Sequence, residues 1–521
     1  MFLVLLIFLF LIVSCASENK NKQKFLWGVA ISGFQADMGP NSEPDKNSDW
    51  WIWTHNEENF KKGYYKDVPE NSSDFWTHYK ADIDIAKDVI GVDVFRYGME
   101  WSRVFPNSTT SVKVSFRTNE IGYPLITIDE KTISELDNIA DQKSVKKYRE
   151  ILAYMKQKGL KIFITLNHFS LPYWIHDPIA CRDWISGITI NAEFSPEQAC
   201  FGKPSGWISS QTVVEFAKYV AYVVSKFGDL VDMWGPINEP IVVATGGYLF
   251  GGISGPLGFG AFPPAGSNKQ SFEYVLKNLI FAHAIAYDTI HKFDKEDADK
   301  DGVPTEVFLI YNISYIDGDD QRAVDSAWKL LVWDYLDAVL RGKINSQFVR
   351  ELYKKADIIG INYYNRFQVI YVPVFPSVGM FFAPKPCPSE EPSDVCPYGR
   401  SEMGYELYPP GIYEVIKAVW ERYRDLNIPI LITENGLSDS QDKKRGIFIQ
   451  EHLRYVGKAL DEGIPVLGYF YWSLIDNLEW ALGFEKRFGL VFVDFSSPER
   501  KRTIKSSAYV FSDEIKNWRK K

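Results

Sequence analysis

Short apolar runs rich in β-branched and aromatic residues recur eight times along the chain, and amphipathic stretches separate them. The pattern predicts strands over 25–31, 92–97, 160–166, 231–237, 306–311, 357–363, 428–433 and 465–472. Apolar spacings of three and four predict helices over 73–89, 145–158, 212–227, 272–293, 413–423 and 446–462. This alternation predicts parallel strands joined by crossover helices. Eight consecutive units favour a closed (β/α)8 barrel, an α/β fold of the TIM type, over an open sheet.

Polar residues stand at or just beyond the C-terminal ends of these apolar runs, which is where a barrel of this kind builds its active site. They are Gln35, Arg96, Asn167 with His168, Asn238 with Glu239, Asn312, Asn362 with Tyr363 and Tyr364, Glu434 with Asn435, and Trp472. Each alone is equally well explained as a helix cap or a loop residue. Their recurrence at all eight strand ends predicts one site at the mouth of the barrel.

Length and composition change this picture little. A chain of 521 residues with 46% hydrophobic and 24% charged residues is an ordinary globular protein. Barrels of this type often exceed the average domain size because their loops lengthen, so one domain with long βα loops over residues 17–521 is expected. The formal net charge of -9 argues against nucleic acid as a partner.

The N-terminus predicts export. Thirteen apolar residues, 1–13, are too few to span a membrane but suit the apolar part of a signal peptide. Small residues allow cleavage after Ala16, and the residues ending at Cys15 also resemble a degenerate lipoprotein box. We therefore expect residues 1–16 to be a signal peptide or lipoprotein leader, and the protein to be secreted or anchored at the cell surface. An uncleaved membrane anchor is the alternative, since basic residues before the apolar run are missing.

Cysteine spacing agrees with export. Beyond Cys15, Cys181 and Cys200 form one close pair in sequence, and Cys387 and Cys396 form another. Two local disulfides are the simplest interpretation, although three connectivities are possible and free buried thiols are the alternative.

Two glutamates suggest the chemistry. Glu239 follows the fourth predicted strand and Glu434 the seventh, so both can face the mouth of one barrel. Paired carboxyl groups suit the cleavage of glycosidic bonds, in which one donates a proton to the leaving oxygen and the other attacks the sugar or activates water. The sequence cannot give their separation, which distinguishes retaining from inverting enzymes.

The motifs around these glutamates resemble those of glycoside hydrolase family 1, the β-glucosidase and β-galactosidase family. Asn238-Glu239-Pro240 resembles the family's acid/base motif, and Thr433-Glu434-Asn435-Gly436 its nucleophile motif. The resemblance runs from Phe25 to Asp494 in family order. Segments 33–39, 48–51, 174–178 and 262–264 are most similar to archaeal-type β-glycosidases.

The resemblance also implies roles for other residues. Arg96 matches the arginine beside the nucleophile, Tyr364 the tyrosine that hydrogen-bonds it, and Asn238 the residue that contacts the sugar 2-hydroxyl. The positions that hold the remaining hydroxyl groups and the ring of the terminal sugar are matched by Gln35, His168, Glu479, Trp480 and Trp472. For each of these residues a purely structural role in the core is the alternative.

The resemblance implies an exo-acting enzyme that removes terminal non-reducing β-D-glycosyl residues by double displacement, with transglycosylation as a side reaction. Its partner would be a small or oligomeric β-glycoside, and a homo-oligomer is compatible with the sequence. No cofactor is implied, and no cluster of His, Cys and carboxylate residues has zinc-like spacing. Contact with a membrane is expected only through a retained or lipidated leader.

Three rival functions are weighed against this one. A 6-phosphoglycosidase is disfavoured by Glu479 and by Phe488, where such relatives tend to have other residues; Lys486 alone would not hold a phosphate. A catalytically silent sugar-binding barrel is disfavoured because both glutamates are present. A dedicated glycosyltransferring enzyme is not excluded. Phe169 and Tyr405 stand where the family commonly has tryptophan, which leaves the preferred sugar open.

Overall fold

Eight parallel strands close into a barrel in the computed structural model, which describes residues 24–231, 233–251, 261–372, 383–385, 387–394 and 396–520. Each predicted apolar run overlaps one strand, so the (β/α)8 fold is confirmed. The predicted leader, residues 1–16, lies outside the described residues. The strands are β1 Leu26–Ile31, β2 Val94–Gly98, β3 Lys161–Thr165, β4 Met233–Gly235, β5 Glu306–Asn312, β6 Ile358–Asn362, β7 Ile430–Asn435 and β8 Val466–Trp472.

One main helix follows each strand. These helices are α1 Phe75–Asp84, continued by a π-helical turn at Ile85–Ile90, α2 Gln142–Gln157, α3 Ser210–Phe227, α4 Lys269–Phe293, α5 Gln321–Trp328, α6 Pro410–Tyr423, α7 Arg445–Asp461 and α8 Ser506–Trp518. The six predicted helices correspond to α1 to α4, α6 and α7. Beyond α5 the chain passes through a π-helical segment, Lys329–Trp333, into a further helix, Asp334–Arg341. A π-turn shifts the apolar face, which obscures the regular spacing in the sequence of this stretch.

The connections between strands and helices carry smaller elements. Short helices lie at Gly33–Ala36, Asp49–Thr54, Glu57–Lys61, Trp101–Val104, Glu130–Asp137, Pro178–Ser186 and Pro240–Ala244, with a π-helical turn at Thr245–Leu249 and 3-10 turns at Pro69–Asn71, Pro196–Gly202, Gly206–Ile208, Arg424–Leu426 and Trp480–Leu482. Short strands lie at Ser115–Thr118, Pro124–Thr127, Tyr315–Asp317, Gly342–Ile344, Gln347–Tyr353, Arg366–Ile370, Ala383–Lys385, Val491–Val493 and Arg502–Ile504.

Large apolar side chains fill the interior of the barrel, so the barrel is a packed core and any ligand must bind above it. Val94, Phe163, Phe308 and Phe470 are all fully buried in this cluster. Gly28 on β1 makes room for it, since a Cβ there would lie 2.3 Å from the ring of Phe470.

Both local disulfides are confirmed. Cys181 pairs with Cys200 in the loop between β3 and α3, and Cys387 pairs with Cys396 in the loop between β6 and α6. The loops therefore belong to the end of the barrel at which the strands finish. Among the described helices, none combines the length and apolar character needed to cross a bilayer.

Candidate active site

A cavity of about 650 Å³, counting its open mouth, lies at the C-terminal end of the barrel strands. Most of the predicted polar strand ends converge on it. Its walls are formed by His168, Phe169, Asn238, Glu239, Val242, Phe262, Asn312, Tyr364, Asn365, Met403, Tyr405, Glu434, Trp472, Glu479, Trp480 and Phe488. Glu239 and Glu434 thus face one enclosed space despite their distance in sequence.

Glu239 stands directly after β4, at the N-cap of the short helix Pro240–Ala244. Its backbone is left-handed, with φ of 44°, and its carboxyl oxygen Oε1 accepts hydrogen bonds from Nδ2 of Asn362 at 2.7 Å and of Asn312 at 3.2 Å. Burial, reinforced by the negative charge of Glu434, raises the pKa of Glu239 to about 8. The arrangement therefore favours a protonated carboxyl group near neutral pH.

Glu434 lies on β7 and receives stronger donors. Nη1 of Arg96 donates to Oε1 at 2.6 Å, and the hydroxyl group of Tyr364 donates to Oε2 at 2.5 Å. Burial raises the pKa of Glu434 above its ordinary value, while Arg96 and then Tyr364 act in the opposite direction. Because Glu434 has a cationic donor and Glu239 has only neutral amides, Glu434 is the carboxyl group that ionises first.

Arg96 is almost fully buried on β2 and connects it to β3, to β7 and to the loop after β4. Besides Glu434, its guanidinium donates from Nε to Oγ1 of Thr165 at 2.9 Å, from Nη2 to Oδ1 of Asn238 at 2.7 Å and from Nη1 to the carbonyl oxygen of Thr433 at 3.2 Å. The planar fork of arginine suits such a set of fixed acceptors. Arg96 therefore sets both the charge and the orientation of the groups around Glu434.

Hydrogen bonds to Asn238 define the state of His168. Because Oδ1 of Asn238 accepts from Arg96 and Asn362, its Nδ2 is the donor toward Nε2 of His168 at 3.1 Å. Burial, aided by the charge of Arg96, lowers the pKa of His168 well below its ordinary value, so the ring is neutral and carries its proton on Nδ1. That N–H group is buried and has no hydrogen-bond partner among the described residues.

Trp472, Trp480 and His168 lie next to one another in the cavity wall. The ring of His168 stacks on Trp472 at 5.5 Å and lies parallel to Trp480 at 6.1 Å. Burial, with the charges of Glu434 and Glu239, raises the pKa of Glu479 to about 8.

Gln35 is fully buried and is not among the residues that line the cavity. Its Nε2 donates to Oε2 of Glu479 at 3.5 Å and to the carbonyl oxygen of Leu478 at 2.7 Å.

The sequence predicts some residues of the site only as polar strand ends and does not single out others at all. Asn312 and Asn362 end neighbouring strands, and their amides hold Glu239. Thr433 orients Asn362 by donating to its Oδ1 at 2.6 Å. Their positions at strand ends were the available signal, but their shared target was visible only in three dimensions. Phe169 and Tyr405, the two departures from the family pattern, both line the cavity.

Within the described ranges, one group of three potential metal-binding side chains occurs, formed by Asp297, Asp299 and Asp301. It precedes β5 and therefore lies at the end of the barrel opposite to the cavity. Lys161 forms ion pairs with both Asp299 and Asp301. This group takes no part in the cavity.

The structure thus has two buried glutamates in one cavity above a packed (β/α)8 barrel. This arrangement is typical of the class of barrel enzymes that act on glycosidic bonds. The sequence profile of glycosyl hydrolase family 1 matches residues 17–116 and 196–520. Similar proteins include a β-galactosidase of Pyrococcus woesei, 40% identical over 509 residues that span 92% of this chain and 94% of that protein. Another is a β-galactosidase of Sulfolobus acidocaldarius, 35% identical, with 90% of each chain covered.

Comparison of structures agrees. The crystal structure of a β-glycosidase from Thermosphaera aggregans superimposes with a TM-score of 0.82 at 35% identity, covering 95% of this chain and 96% of that one. The chain therefore belongs to glycosyl hydrolase family 1, on its archaeal-type branch.

Proposed function

We propose that this protein is an exo-acting retaining β-glycosidase of the β-glucosidase and β-galactosidase type. The observation that carries the proposal is that two glutamates in one cavity have different hydrogen-bond donors. Arg96 and Tyr364 donate to Glu434, whereas Glu239 is buried with neutral amides and has a pKa of about 8. The names of the β-galactosidase relatives support the same activity.

The mechanism follows from these two states. The carboxylate of Glu434 attacks the anomeric carbon, and the proton of Glu239 moves to the departing glycosidic oxygen as that bond breaks. The resulting ester neutralises Glu434 and so removes the negative charge that raises the pKa of Glu239. Glu239, now a carboxylate, takes a proton from water, which attacks the anomeric carbon and releases the sugar and Glu434. A second sugar in place of water gives transglycosylation.

The shape and polarity of the cavity suit the end of a sugar chain. The packed barrel interior closes it from below. His168 and Glu479 bring polar side chains to the cavity wall for sugar hydroxyl groups, and Trp472 offers an apolar face to the ring. Asn238 accepts a hydrogen bond from Arg96 and donates one to His168, and its position on the cavity wall supports a contact to the 2-hydroxyl. Gln35 supports Glu479 from behind.

Initial rates on a panel of nitrophenyl β-glycosides with different sugars test the proposal. We expect hydrolysis of the β-glucoside or the β-galactoside, and proton NMR should show the β-anomer of the released sugar before mutarotation. First appearance of the α-anomer would contradict retention. Turnover of none of the panel would contradict glycosidase activity itself.

We also propose that residues 1–16 direct export, so that the protein is secreted or anchored at the cell surface. The apolar run and the two disulfides support this proposal. Mass spectrometry of the protein from its native host tests it: cleavage after Ala16 indicates secretion, and a lipid on Cys15 indicates anchoring. An intact N-terminus on protein found in the cytoplasm would contradict it. A homo-oligomer stays a prediction, which light scattering can test.

A further inference from the structure

Glu100 lies outside the cavity wall and is a fully buried acid on the loop that follows β2. Its carboxyl group touches two other βα loops. Oε1 accepts a hydrogen bond from the backbone N–H of Phe34 at 2.9 Å, in the loop after β1, and Oε2 accepts one from the hydroxyl group of Ser170, in the loop after β3. One side chain therefore joins three consecutive loops.

We call the part of the cavity wall formed by His168 and Trp480 its sugar side. The loop after β3 carries His168, and the loop after β1 contacts Trp480 through Phe34. Phe34 directly precedes Gln35, and its ring stacks on Trp480 at 5.8 Å with an interplanar angle of 5°. Ser170 closes a tight turn with His168, because its backbone N–H donates to the carbonyl oxygen of His168 at 3.0 Å. The ring of Trp480 thus lies between Phe34 from the loop after β1 and His168 from the loop after β3. The carboxyl group of Glu100 fixes the distance between these two loops.

The close approach is built into the backbone. A Cβ at Gly33 would lie 2.9 Å from Cγ and Oε1 of Glu100 and 2.7 Å from the carbonyl oxygen of Gly98. Only glycine leaves room for the acid to reach the N–H of Phe34. In addition, the backbone N–H of Glu100 donates a hydrogen bond to the hydroxyl oxygen of Tyr148 at 3.0 Å. The acid is therefore held at both its backbone and its carboxyl end.

We propose that Glu100 is a positioning residue for the sugar side of the active site, acting through Gln35, His168 and Trp480. The inference rests on the proposed function, which assigns His168 and Glu479, the partner of Gln35, to the terminal sugar. Burial raises the pKa of Glu100 to about 8. Because a hydroxyl group can both donate and accept, Ser170 can also accept from Oε2 when the acid is protonated, while Oε1 still accepts from Phe34; glutamine reproduces this second pattern.

Four proteins test the proposal: the wild type, Glu100→Gln, Glu100→Asp and Glu215→Ala. The readouts are KM and kcat on the best nitrophenyl β-glycoside, and the inhibition constant of the free monosaccharide. In Glu100→Asp the chain is one methylene shorter and cannot hold both loops. We expect both KM and the inhibition constant to rise about tenfold with little change in kcat, the pattern of binding lost equally from the ground state and the transition state. Glu100→Gln should stay within about threefold of the wild type.

Glu215 is the matched control, since it is equally buried but lies on α3, where it binds Lys218 and Thr109 away from the cavity. Glu215→Ala should lower the melting temperature without changing the inhibition constant. An unchanged inhibition constant in Glu100→Asp, or a glutamine variant as weak as the aspartate one, would overturn the positioning role. Failure of the proposed function is distinguishable, because the wild type itself would then hydrolyse none of the panel.

Discussion

Arg96 and Glu434 form an ion pair of 2.6 Å in which both side chains are almost completely removed from solvent, at 1% and 4% exposure. Breaking a buried pair by removing one partner is far more costly than losing a surface ion pair, because the remaining charge stays buried. Here the remaining charge would be the carboxylate that the proposed mechanism requires. The pair therefore links the stability of the barrel mouth to the ionisation of the proposed nucleophile.

Replacing Arg96 should accordingly impair catalysis through the protonation state of Glu434. In Arg96→Met we expect kcat/KM to fall about a hundredfold or more. The acidic limb of the pH profile should move to higher pH, because burial then raises the pKa of Glu434 without opposition from the guanidinium. Arg96→Lys is the control: it keeps the charge, so its acidic limb should move less. An acidic limb unchanged in the methionine variant would contradict this role.

Tyr364 should contribute most to the second step, in which the bond between Glu434 and the sugar breaks. Its hydroxyl group donates to Oε2 of Glu434 at 2.5 Å, and a hydrogen bond to a charged group is worth about 1.5–3 kcal/mol. We expect Tyr364→Phe to lower kcat about 10- to 100-fold. Stopped-flow measurements with a dinitrophenyl glycoside should show a larger burst than in the wild type, since the glycosyl-enzyme accumulates. Loss of the burst would indicate that the hydroxyl group acts in the first step instead.

The alkaline limb of the activity profile should report Glu239. Its pKa is raised to about 8, so the proton needed by the leaving group is present below that pH and is lost as pH rises through it. We expect kcat/KM for a poor leaving group, such as a methyl glycoside, to decline near pH 8. A dinitrophenyl glycoside needs little protonation and serves as the control, with a flatter alkaline limb. A decline near pH 4.5 for the methyl glycoside would argue against Glu239 as the acid.

Reduction of the disulfides should destabilise the protein. Cys181–Cys200 closes 19 positions and Cys387–Cys396 closes 9, so loop-closure entropy predicts a greater effect for the first, about 3 kcal/mol. Calorimetry of Cys181→Ser/Cys200→Ser and of Cys387→Ser/Cys396→Ser tests this order. The second loop also leads to Met403 and Tyr405 on the cavity wall, so its variant should change KM more than the first. Equal melting temperatures with and without reductant would contradict the prediction.

The barrel was predictable because its signal is local. Each strand is a short apolar run and most helices keep a regular apolar spacing, whereas the π-helical turn at Lys329–Trp333 interrupts that spacing beside α5. The site was predictable in part, since polar strand ends of one barrel must meet. Which of their side chains touch was not predictable. Tyr363 and Tyr364 are neighbours, yet the hydroxyl group of Tyr363 donates to the carbonyl oxygen of Tyr408, whereas that of Tyr364 donates to the carboxylate of Glu434.

The positions of Gln35 and Glu100 show a second limit. The resemblance implies that Gln35 contacts the sugar, which stays a prediction; in the structure Gln35 is fully buried, its amide donates to Glu479, and its Oε1 accepts a hydrogen bond from Ser32 at 2.9 Å. Glu100 carries no motif that marks it, because its importance comes from loops that approach it from separate parts of the chain. Contacts of this kind depend on tertiary packing and leave no periodic signal in the sequence.

The most direct test of the account is the kinetic behaviour of Glu434→Gly with and without an added nucleophile. The account predicts that hydrolysis of an aryl β-glycoside is lost and that azide or formate, entering the space left by the side chain, restores release of the aryl group. With azide the product should be the α-glycosyl azide, because the small anion attacks from the face that Glu434 normally uses. Robust hydrolysis by the glycine variant without any rescue would show that Glu434 is not the nucleophile.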